Sequence, residues 1–443
     1  MTAHRLQSAA KFAGSAVGVL LATVGVLFLL LLGAYALPGG AVRGNIVRSV
    51  PLLQQEGLYP EFFGFKLFQM DNYTDTVMLF EAASADETPP LTAMMTNTAY
   101  NVDNFTTLPQ DLAVYLDARA SGTSAEGLTP FSYARYWHGY LIWLRPLLLV
   151  FTYGQIRVVN YLLGGALLAL LLWRIAARCG RRAAWWFGIS QVLVSCFFVP
   201  RQLQFFTCFV LAYAACLWVL ARPRRPQALL LGLAAVGAAT AFMDLLVTPI
   251  LTLGLPMTVW LLQPGDRAEA RRGLRGCGTV AGGSIVWGAG YGGAWALKWA
   301  IAPLVTGADV AGDALHQAQV RTAGDTWHGM TLSWGNIFRF VGQTLVSRGL
   351  VLPLVLALGL GAVLFCLCVR SRAALAAHLP LALTALMAPV WFAVLRTHSI
   401  QHGWFVWRGL AVTLFAGTAF VAQTCAWSAG KQRLLRLRPR KNR

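Results

Sequence analysis

Two aspartates, Asp71 and Asp75, stand four residues apart in the stretch MDNYTDT of this 443-residue chain. Residues spaced in this way share one face of an α-helix, so the two carboxylates are expected to lie side by side. One carboxylate could act as a general base toward a hydroxyl group, and the pair could bind a divalent cation, Mg²⁺ or Mn²⁺, through oxygen ligands. The alternative is that both belong to the solvated face of an amphipathic helix.

A third carboxylate, Asp244, lies in the stretch FMDLLVTP, at the predicted end of an apolar segment. Ionisable residues at such a depth usually serve a function and pair with a cation. Asp244 is therefore a candidate for substrate binding. The alternative is that it caps the helix turn that precedes Pro249.

The remaining candidates for substrate binding are His138 in RYWHGY, Arg145, Lys298 in WALKWA, Arg339, Arg348, and His398 and His402 in HSIQHGW. Arginine binds phosphate through two parallel hydrogen bonds and lysine binds it as a point charge, so the set suits an anionic lipid headgroup. The spacing of His398 and His402 allows both imidazoles on one helical face, where they could bind a metal or exchange protons. For any single basic residue, the alternative is a side chain that extends toward bulk lipid headgroups.

The composition indicates that these residues are positioned by helices in a membrane. Hydrophobic residues make up 57% of the chain and charged residues 12%, against about a quarter charged in a soluble protein. Apolar segments in lipid must be helices of roughly 20 residues, because a bilayer satisfies no free backbone group. We predict an all-α fold with about ten spans: 12–36, 156–174, 184–200, 204–221, 228–244, 246–262, 277–302, 349–369, 377–396 and 405–425.

Charge alternates between the connections of these predicted spans. One set of connections, together with both chain ends, carries a net charge of +20, and the rest of the chain carries −1. This is the positive-inside pattern, which predicts a multi-pass protein of a bacterial inner membrane with both termini in the cytoplasm. The basic tail, 429–443, is expected to contact lipid headgroups. The overall charge of +19 therefore does not indicate a nucleic-acid partner.

The chain is expected to form a single membrane domain over residues 1–443 with two large extracytoplasmic loops, 38–137 and 304–347. The first loop contains eleven of the seventeen acidic residues. Within it, residues 60–83 are predicted to form an amphipathic helix at the membrane surface. The aromatic and basic stretch 131–153 is predicted to form an interfacial or re-entrant helix.

This arrangement resembles the GT-C superfamily of membrane glycosyltransferases, which use polyprenyl-phosphate-linked sugars. The resemblance covers the architecture of most of the chain and, in pieces, the stretches MDNYTD, RYWHGYLIWLRPLLL, FMDLLVTP, WALKW and HSIQHGWFVWR. It implies that an acid of the first loop, Asp71 or Asp75, is the base or a metal ligand. It also implies that a basic residue holds the lipid phosphate; the candidates are Lys298, Arg339 and Arg348. Many GT-C enzymes carry adjacent acids, whereas these aspartates are four apart.

The function implied by the resemblance is transfer of a sugar from a polyprenyl-phosphate donor to a cell-envelope glycan or lipid on the extracytoplasmic face. Its partners are the membrane lipid, the donor and the acceptor. One alternative is a lipid flippase or solute transporter, which predicts ionisable residues near the bilayer midplane and broken helices in symmetric positions. Another is a non-enzymatic subunit of an envelope-polysaccharide system, in which the charged residues are dispensable.

Overall fold

The computed structural model describes residues 2–221, 225–265, 268–323, 326–327, 330–426, 428 and 430. Of the predicted basic tail, 429–443, only residue 430 belongs to the described part. Four charged residues used in the topology prediction also lie outside it: Arg222, Arg224, Asp266 and Arg267. Within the described ranges the chain is mostly helical, with two short antiparallel pairs of strands.

The chain begins with one long helix, which is followed by a segment of short elements. The long helix is α1 (Thr2–Tyr35). Residues 36–152 form what we call the connecting segment, which contains α2 (Gly39–Val47), α3 (Val50–Glu56), α4 (Asn72–Ser84), α5 (Pro90–Thr96), β1 (Thr98–Tyr100), α6 (Leu108–Ser121), β2 (Pro130–Ser132) and α7 (Leu141–Leu148). Strands β1 and β2 pair antiparallel, with Ala99 opposite Phe131.

The remaining elements are mostly long helices. The first group comprises α8 (Tyr153–Cys179), α9 (Arg181–Leu193), α10 (Leu203–Ala221), α11 (Pro226–Met243), α12 (Leu251–Leu262) and α13 (Gly273–Thr306). The second comprises α14 (Val310–Ala323), β3 (Thr326–Trp327), β4 (Met330–Thr331), α15 (Trp334–Ser347), α16 (Val351–Cys368), α17 (Arg372–Ala385), α18 (Met387–Val394), α19 (Arg396–Gln401), α20 (Gly403–Val406) and α21 (Leu410–Thr424). Short 3₁₀ turns lie at 62–64, 66–68, 196–201, 268–271 and 407–409.

In the described part of the chain, six helical stretches are long and apolar enough to cross a membrane, and they confirm an all-α membrane protein. They are Gln7–Tyr35, Tyr153–Cys179, Leu203–Ala221, Pro226–Met243, Arg372–Val394 and Gly403–Thr424. Four other predicted spans are helical but do not belong to this set. The span at 184–200 breaks at Ser195, which has a positive φ of 57°, and α12 has only 12 residues. The total of about ten spans stays a prediction.

Residues 60–83 do not form the single amphipathic helix that the sequence predicts. The backbone has positive φ at Gly57, Phe63 and Gly64, which a helix cannot accommodate. Two 3₁₀ turns therefore replace the first half of the helix, and α4 starts only after Asp71, whose carboxylate caps it. Most residues of α4 are buried by surrounding protein, so the helix presents no broad solvated face.

Helices α11 and α13 pack closely because glycines remove side chains from their contact. A Cβ atom at Gly237 would lie 2.1 Å from the carbonyl oxygen of Trp287, and one at Gly290 would lie 2.2 Å from that of Ala234. Small residues permit this approach between helices in lipid. The contact fixes the position of α13, which later contributes aromatic side chains to the candidate site.

We expect Gly290→Ala to destabilise the protein, because its methyl group would collide with backbone that cannot rotate away. Overpacking of this kind costs about 1–3 kcal/mol. Gly288→Ala on the same helix is the matched control, since a Cβ there meets nothing within 4 Å. Thermal unfolding of both purified variants in detergent would measure the difference, and equal midpoints would contradict this packing.

Candidate functional site

Asp75 joins α4 to the starts of α8 and α10. One carboxylate oxygen accepts hydrogen bonds from the Tyr153 hydroxyl at 2.5 Å and from the Leu203 N–H at 3.1 Å, and the other accepts from the Gln204 N–H at 3.2 Å. These two N–H groups belong to the first turn of α10, where no intrahelical partner exists. Asp75 therefore caps α10 from a different part of the chain. The Tyr153 hydroxyl also accepts from Arg157 at 2.8 Å.

Arg157 extends this contact into a buried ionic network. Its guanidinium binds both oxygens of Glu56 at 2.8 Å and also donates to the Asn72 side chain at 3.1 Å. Arg201 makes a second ion pair with Glu56 at 3.1 Å. Burial would raise the pKa of Glu56, but the hydrogen bonds and charge of Arg157 outweigh it and lower the pKa. The network fixes α3, α4 and α8 against each other.

Asp71 is the N-cap of α4. Its two carboxylate oxygens accept from the Thr74 N–H at 3.0 Å and from the Thr74 hydroxyl at 2.7 Å, and its own N–H donates to Gln202 at 3.2 Å. Burial raises the pKa of Asp71 to about 7, with a smaller contribution from the charge of Asp75. Burial also raises the pKa of Asp75 to about 6, against the opposing hydrogen bond from Tyr153.

The carboxylates of Asp71 and Asp75 are engaged by protein donors, and their binding of a divalent cation stays a prediction. All four carboxylate oxygens already accept hydrogen bonds from protein donors. In the described parts of the chain, no three His, Cys, Asp or Glu side chains converge as metal ligands. The catalytic role of the two aspartates stays a prediction, and neither lines the polar cavity described next.

A polar cavity of about 300 Å³ lies along another face of α4, which contributes Thr74, Val77 and Glu81. Its remaining charged and titratable lining groups are Asp103, Arg135, Arg321, His398 and His402. Aromatic rings complete the wall, namely Tyr73, Phe105, Phe131, Tyr133, Tyr136 and Phe405. His398 and His402, two of the substrate-binding residues predicted from the sequence, both line this cavity.

Glu81 is the buried carboxylate of the cavity. Its Oε2 lies 2.9 Å from His138 Nδ1 and accepts a hydrogen bond from the Tyr140 hydroxyl. Its Oε1 has no hydrogen-bond partner among the described residues. One oxygen is thus held in place by two side chains, and the other is a buried acceptor without a donor among the described residues.

His138 orients Glu81 through a constrained backbone. Its Nε2 lies 3.1 Å from the Tyr133 carbonyl oxygen, which can only accept, so Nε2 carries a hydrogen. Its Nδ1 lies 3.0 Å from the Tyr140 hydroxyl and 2.9 Å from Glu81 Oε2. His138 has a positive φ of 53°, and a Cβ on the next residue, Gly139, would lie 2.5 Å from the Phe242 carbonyl oxygen. Close contact with the end of α11 therefore sets the direction of the imidazole.

His398 is oriented by an unusual turn after α11. Asp244 accepts a hydrogen bond from the Val247 N–H at 3.0 Å, and within this turn Leu246 has a positive φ of 63°. The Leu246 carbonyl oxygen lies 2.9 Å from His398 Nε2, which must carry the hydrogen, so Nδ1 keeps a free lone pair. Asp244 thus affects the cavity only through this turn, which positions the carbonyl oxygen that binds His398.

Burial keeps both cavity histidines neutral. It lowers the pKa of His398 well below its usual range, with smaller contributions from His402 and Arg321. It also lowers the pKa of His402 to about 3, assisted by the charge of Arg321. A neutral His398 with its Nε2 hydrogen bonded to a carbonyl can accept a hydrogen bond from a ligand, but it is a weak base.

Three buried acceptor atoms on the cavity wall have no partner within the described ranges. They are Glu81 Oε1, Gln204 Oε1 and His398 Nδ1. Burying an acceptor without a donor costs free energy, so a ligand that supplies several donors is favoured. Hydroxyl groups of a sugar supply such donors, and aromatic walls provide apolar surface for its ring.

An aromatic groove of about 180 Å³ adjoins the polar cavity. Its wall is formed mainly by Tyr291, Trp295, Trp299, Trp391 and Leu395, with small residues of α14 opposite. Groove and cavity share four lining residues, Arg135, Tyr136, Gln317 and Arg321. The cationic side chains of Arg135 and Arg321 therefore lie at the boundary between the apolar groove and the polar cavity. Arg135 is paired with Asp313 at 3.0 Å.

Arg145, a predicted substrate-binding residue, and Lys298, a predicted phosphate ligand, both bind backbone carbonyls. Arg145 is fully buried and donates to the carbonyl oxygens of Ala34 and Leu37 at 2.8 Å, and also to that of Ala82, so it joins the end of α1 to α4. Lys298 is fully buried as well. Its ammonium donates to the carbonyl oxygen of Met94 at 2.9 Å and to that of the next residue at 3.2 Å, so it caps the end of α5.

The other two predicted phosphate ligands lie away from the cavity and the groove. Arg339 is exposed on α15. Arg348 follows α15 and donates to the carbonyl oxygen of Lys66 and to the Gln69 side chain. Neither lines the polar cavity or the aromatic groove.

The selection of site residues from the sequence missed Glu81, Arg135 and Arg321. A signal for Glu81 was present, because Thr74, Val77 and Glu81 are spaced three and four apart and share a helical face. No protein-family model matches the chain, and no curated protein or solved structure matches it. The site is therefore interpreted from its own geometry.

We expect Asp75→Asn to lower stability at every pH, because the asparagine NH₂ group would face N–H donors of α10 in place of an acceptor. Loss of a buried charged hydrogen-bond partner costs about 1–3 kcal/mol or more. The midpoint of thermal unfolding in detergent would measure it. Asp117→Asn, an exposed carboxylate on α6, is the control. An unchanged midpoint for Asp75→Asn would contradict the capping role.

We expect Asp71→Asn to stabilise the protein at pH 8 and to lose this effect toward pH 5. The pKa of Asp71 is about 7 in the folded protein, above its unfolded value of about 3.9. Its favourable contribution is therefore complete below about pH 4 and disappears as pH rises through 7. Asparagine remains neutral and still caps α4. Thermal unfolding across this range tests the sign, and a pH-independent difference would refute it.

Proposed function

We propose that this protein is a GT-C type glycosyltransferase, which transfers a sugar from a polyprenyl-phosphate-linked donor to a cell-envelope glycan or lipid. The observation that carries the proposal is the junction of the aromatic groove and the polar cavity at Arg135 and Arg321. A polyprenyl-phosphate sugar consists of an apolar chain, a phosphate and a sugar with several hydroxyl groups. These three parts match the order of the groove, the two arginines and the cavity.

The donor binds across this junction. Its prenyl chain contacts the aromatic groove, and Arg135 and Arg321 bind its phosphate, since guanidinium groups bind phosphate in a bidentate manner. The sugar enters the polar cavity, where its hydroxyls donate to Gln204 and His398. Both supply acceptor atoms that lack a protein partner.

Glu81 is the general base of the transfer. Its free Oε1 takes the proton of the acceptor hydroxyl, while His138 and Tyr140 hold Oε2. The hydroxyl oxygen forms a bond to the anomeric carbon as the bond from that carbon to the phosphate oxygen breaks. The electron pair leaves with the polyprenyl phosphate, whose charge Arg135 and Arg321 stabilise.

The proposed setting is a bacterial inner membrane, with about ten spans, cytoplasmic termini and the cavity on the extracytoplasmic side. Helix α8 supports this orientation. It begins at Tyr153, in contact with Asp75, and ends at Cys179 beside Arg174 and Arg178. A helix of 27 residues is about 40 Å long, so the cavity and these arginines lie at opposite ends, as the positive-inside rule requires.

We expect Glu81→Gln to reduce sugar transfer by about a hundredfold or more, because it removes the base and leaves the cavity intact. In cells that depend on the variant, the surface glycan loses one sugar and the polyprenyl-phosphate-linked sugar accumulates. Arg321→Gln weakens donor binding roughly tenfold through loss of charged hydrogen bonds. Mass spectrometry of surface glycans and of extracted lipid-linked sugars measures both effects.

Asp117→Asn is the matched control for these variants, because Asp117 is exposed on α6 and distant from the cavity wall. Protein amount and thermal unfolding confirm that each variant is folded. Normal glycans in cells with folded Glu81→Gln protein would overturn the enzymatic proposal. Loss of lipid-linked sugar on the outer face, with transfer itself intact, would instead favour a flippase.

A further inference from the structure

Arg408 is a buried cation without a hydrogen-bonding partner. Its side chain is fully buried, and none of its three guanidinium nitrogens has a partner among the described residues. The guanidinium lies 4.6 Å from the ring centre of Phe205 and 5.2 Å from that of Trp407. Aromatic faces offset only part of the cost of removing a charge from water. A ligand with several acceptor oxygens, such as an anion, would satisfy its five N–H groups.

A second buried arginine approaches the same indole. The Arg348 guanidinium lies 5.9 Å from the Trp407 ring centre, and its side chain is 5% exposed. Two of its nitrogens bind Lys66 and Gln69, and its Nε has no partner in the described part of the chain. Two positive charges thus share one aromatic ring, and no carboxylate is paired with either of them in the described ranges.

The residues bound by Arg348 belong to a loop with exposed aromatic side chains. The loop spans residues 61–69 and is closed by a bridge between Glu61 and Gln69. Phe63 and Phe65 are 80% and 61% exposed, far more than a soluble surface tolerates for rings of this size. In a membrane protein such rings contact lipid chains.

A chain of aromatic contacts connects Arg408 to the surface. The Phe205 ring packs on Trp404, whose ring centre lies 6.0 Å from that of Tyr59. Tyr59 is 40% exposed. These contacts run from the guanidinium to a partly exposed ring.

We propose that Arg408 and Arg348 form a phosphate site for a phospholipid of the surrounding membrane. The phosphate binds Arg408 and the free Nε of Arg348, and the acyl chains lie along Phe63 and Phe65. This site is separate from the aromatic groove and the polar cavity, neither of which either arginine lines. It does not depend on the proposed glycosyltransferase activity.

Native mass spectrometry of the full chain, released from detergent with dioleoyl phosphatidic acid, tests the site. We expect wild-type protein to retain one tightly bound phosphatidic acid. Arg408→Gln should weaken that binding at least about tenfold, and Arg348→Gln should weaken it by slightly less. Arg408→Lys, which keeps the charge but not the paired N–H groups, gives an intermediate affinity. Dioleoylglycerol, which lacks the phosphate, does not occupy the site.

Arg339→Gln is the matched control, since Arg339 is an exposed arginine on α15 just before Arg348. Arg321→Gln leaves this binding unchanged, which separates the site from the donor phosphate. Phosphatidic acid should raise the unfolding temperature of wild-type protein but not that of Arg408→Gln. This difference supports the site even if the variant itself is less stable. Equal retention by Arg408→Gln and wild type overturns it. Stabilisation by inorganic phosphate equal to that by the lipid overturns the lipid assignment.

Discussion

The buried carboxylate of Asp75 determines how the connecting segment sits against the long helices. It accepts hydrogen bonds from the first turn of α10 and from Tyr153 at the start of α8, and the Glu56–Arg157 ion pair surrounds this contact. A buried ion pair of this kind adds little over well-packed apolar residues, but the loss of one partner is costly. The network therefore contributes more to holding α4 in one arrangement than to the free energy of unfolding.

Because one face of α4 is held in this way, another face can present a reactive group at a defined position. Glu81 is about two turns along the helix from Asp75 and points into the polar cavity. The rest of the cavity comes from distant parts of the chain, including residues 131–136, 317–321 and 398–405. Each of these parts is oriented by backbone contacts, such as the Leu246 carbonyl against His398.

The sequence was sufficient to predict the helical fold class and six of the spans, because long apolar runs in lipid have few alternatives. His398 and His402 line one cavity because they are neighbours on the chain, and their predicted role in substrate binding stays a prediction. The spacing of Thr74, Val77 and Glu81 puts Glu81 on one face of α4, but the sequence could not show that this face lines a cavity. The choice between faces depends on contacts of Asp75 with residues 128 and 129 positions away. Nor could the sequence show the carbonyl partners of Arg145 and Lys298, which lie 63 to 204 residues away along the chain.

The backbone conformation at His138 restricts which amino acids can occupy this position. Its left-handed conformation favours glycine, asparagine, aspartate and histidine, and of these only histidine has two ring nitrogens that reach both the Tyr133 carbonyl and Glu81. The following glycine has no room for any side chain. Hydrophobic residues make up 57% of this chain, and in lipid many apolar sequences are interchangeable. A His-Gly pair ahead of a short helix is thus a more informative marker of distant kinship than the helices themselves.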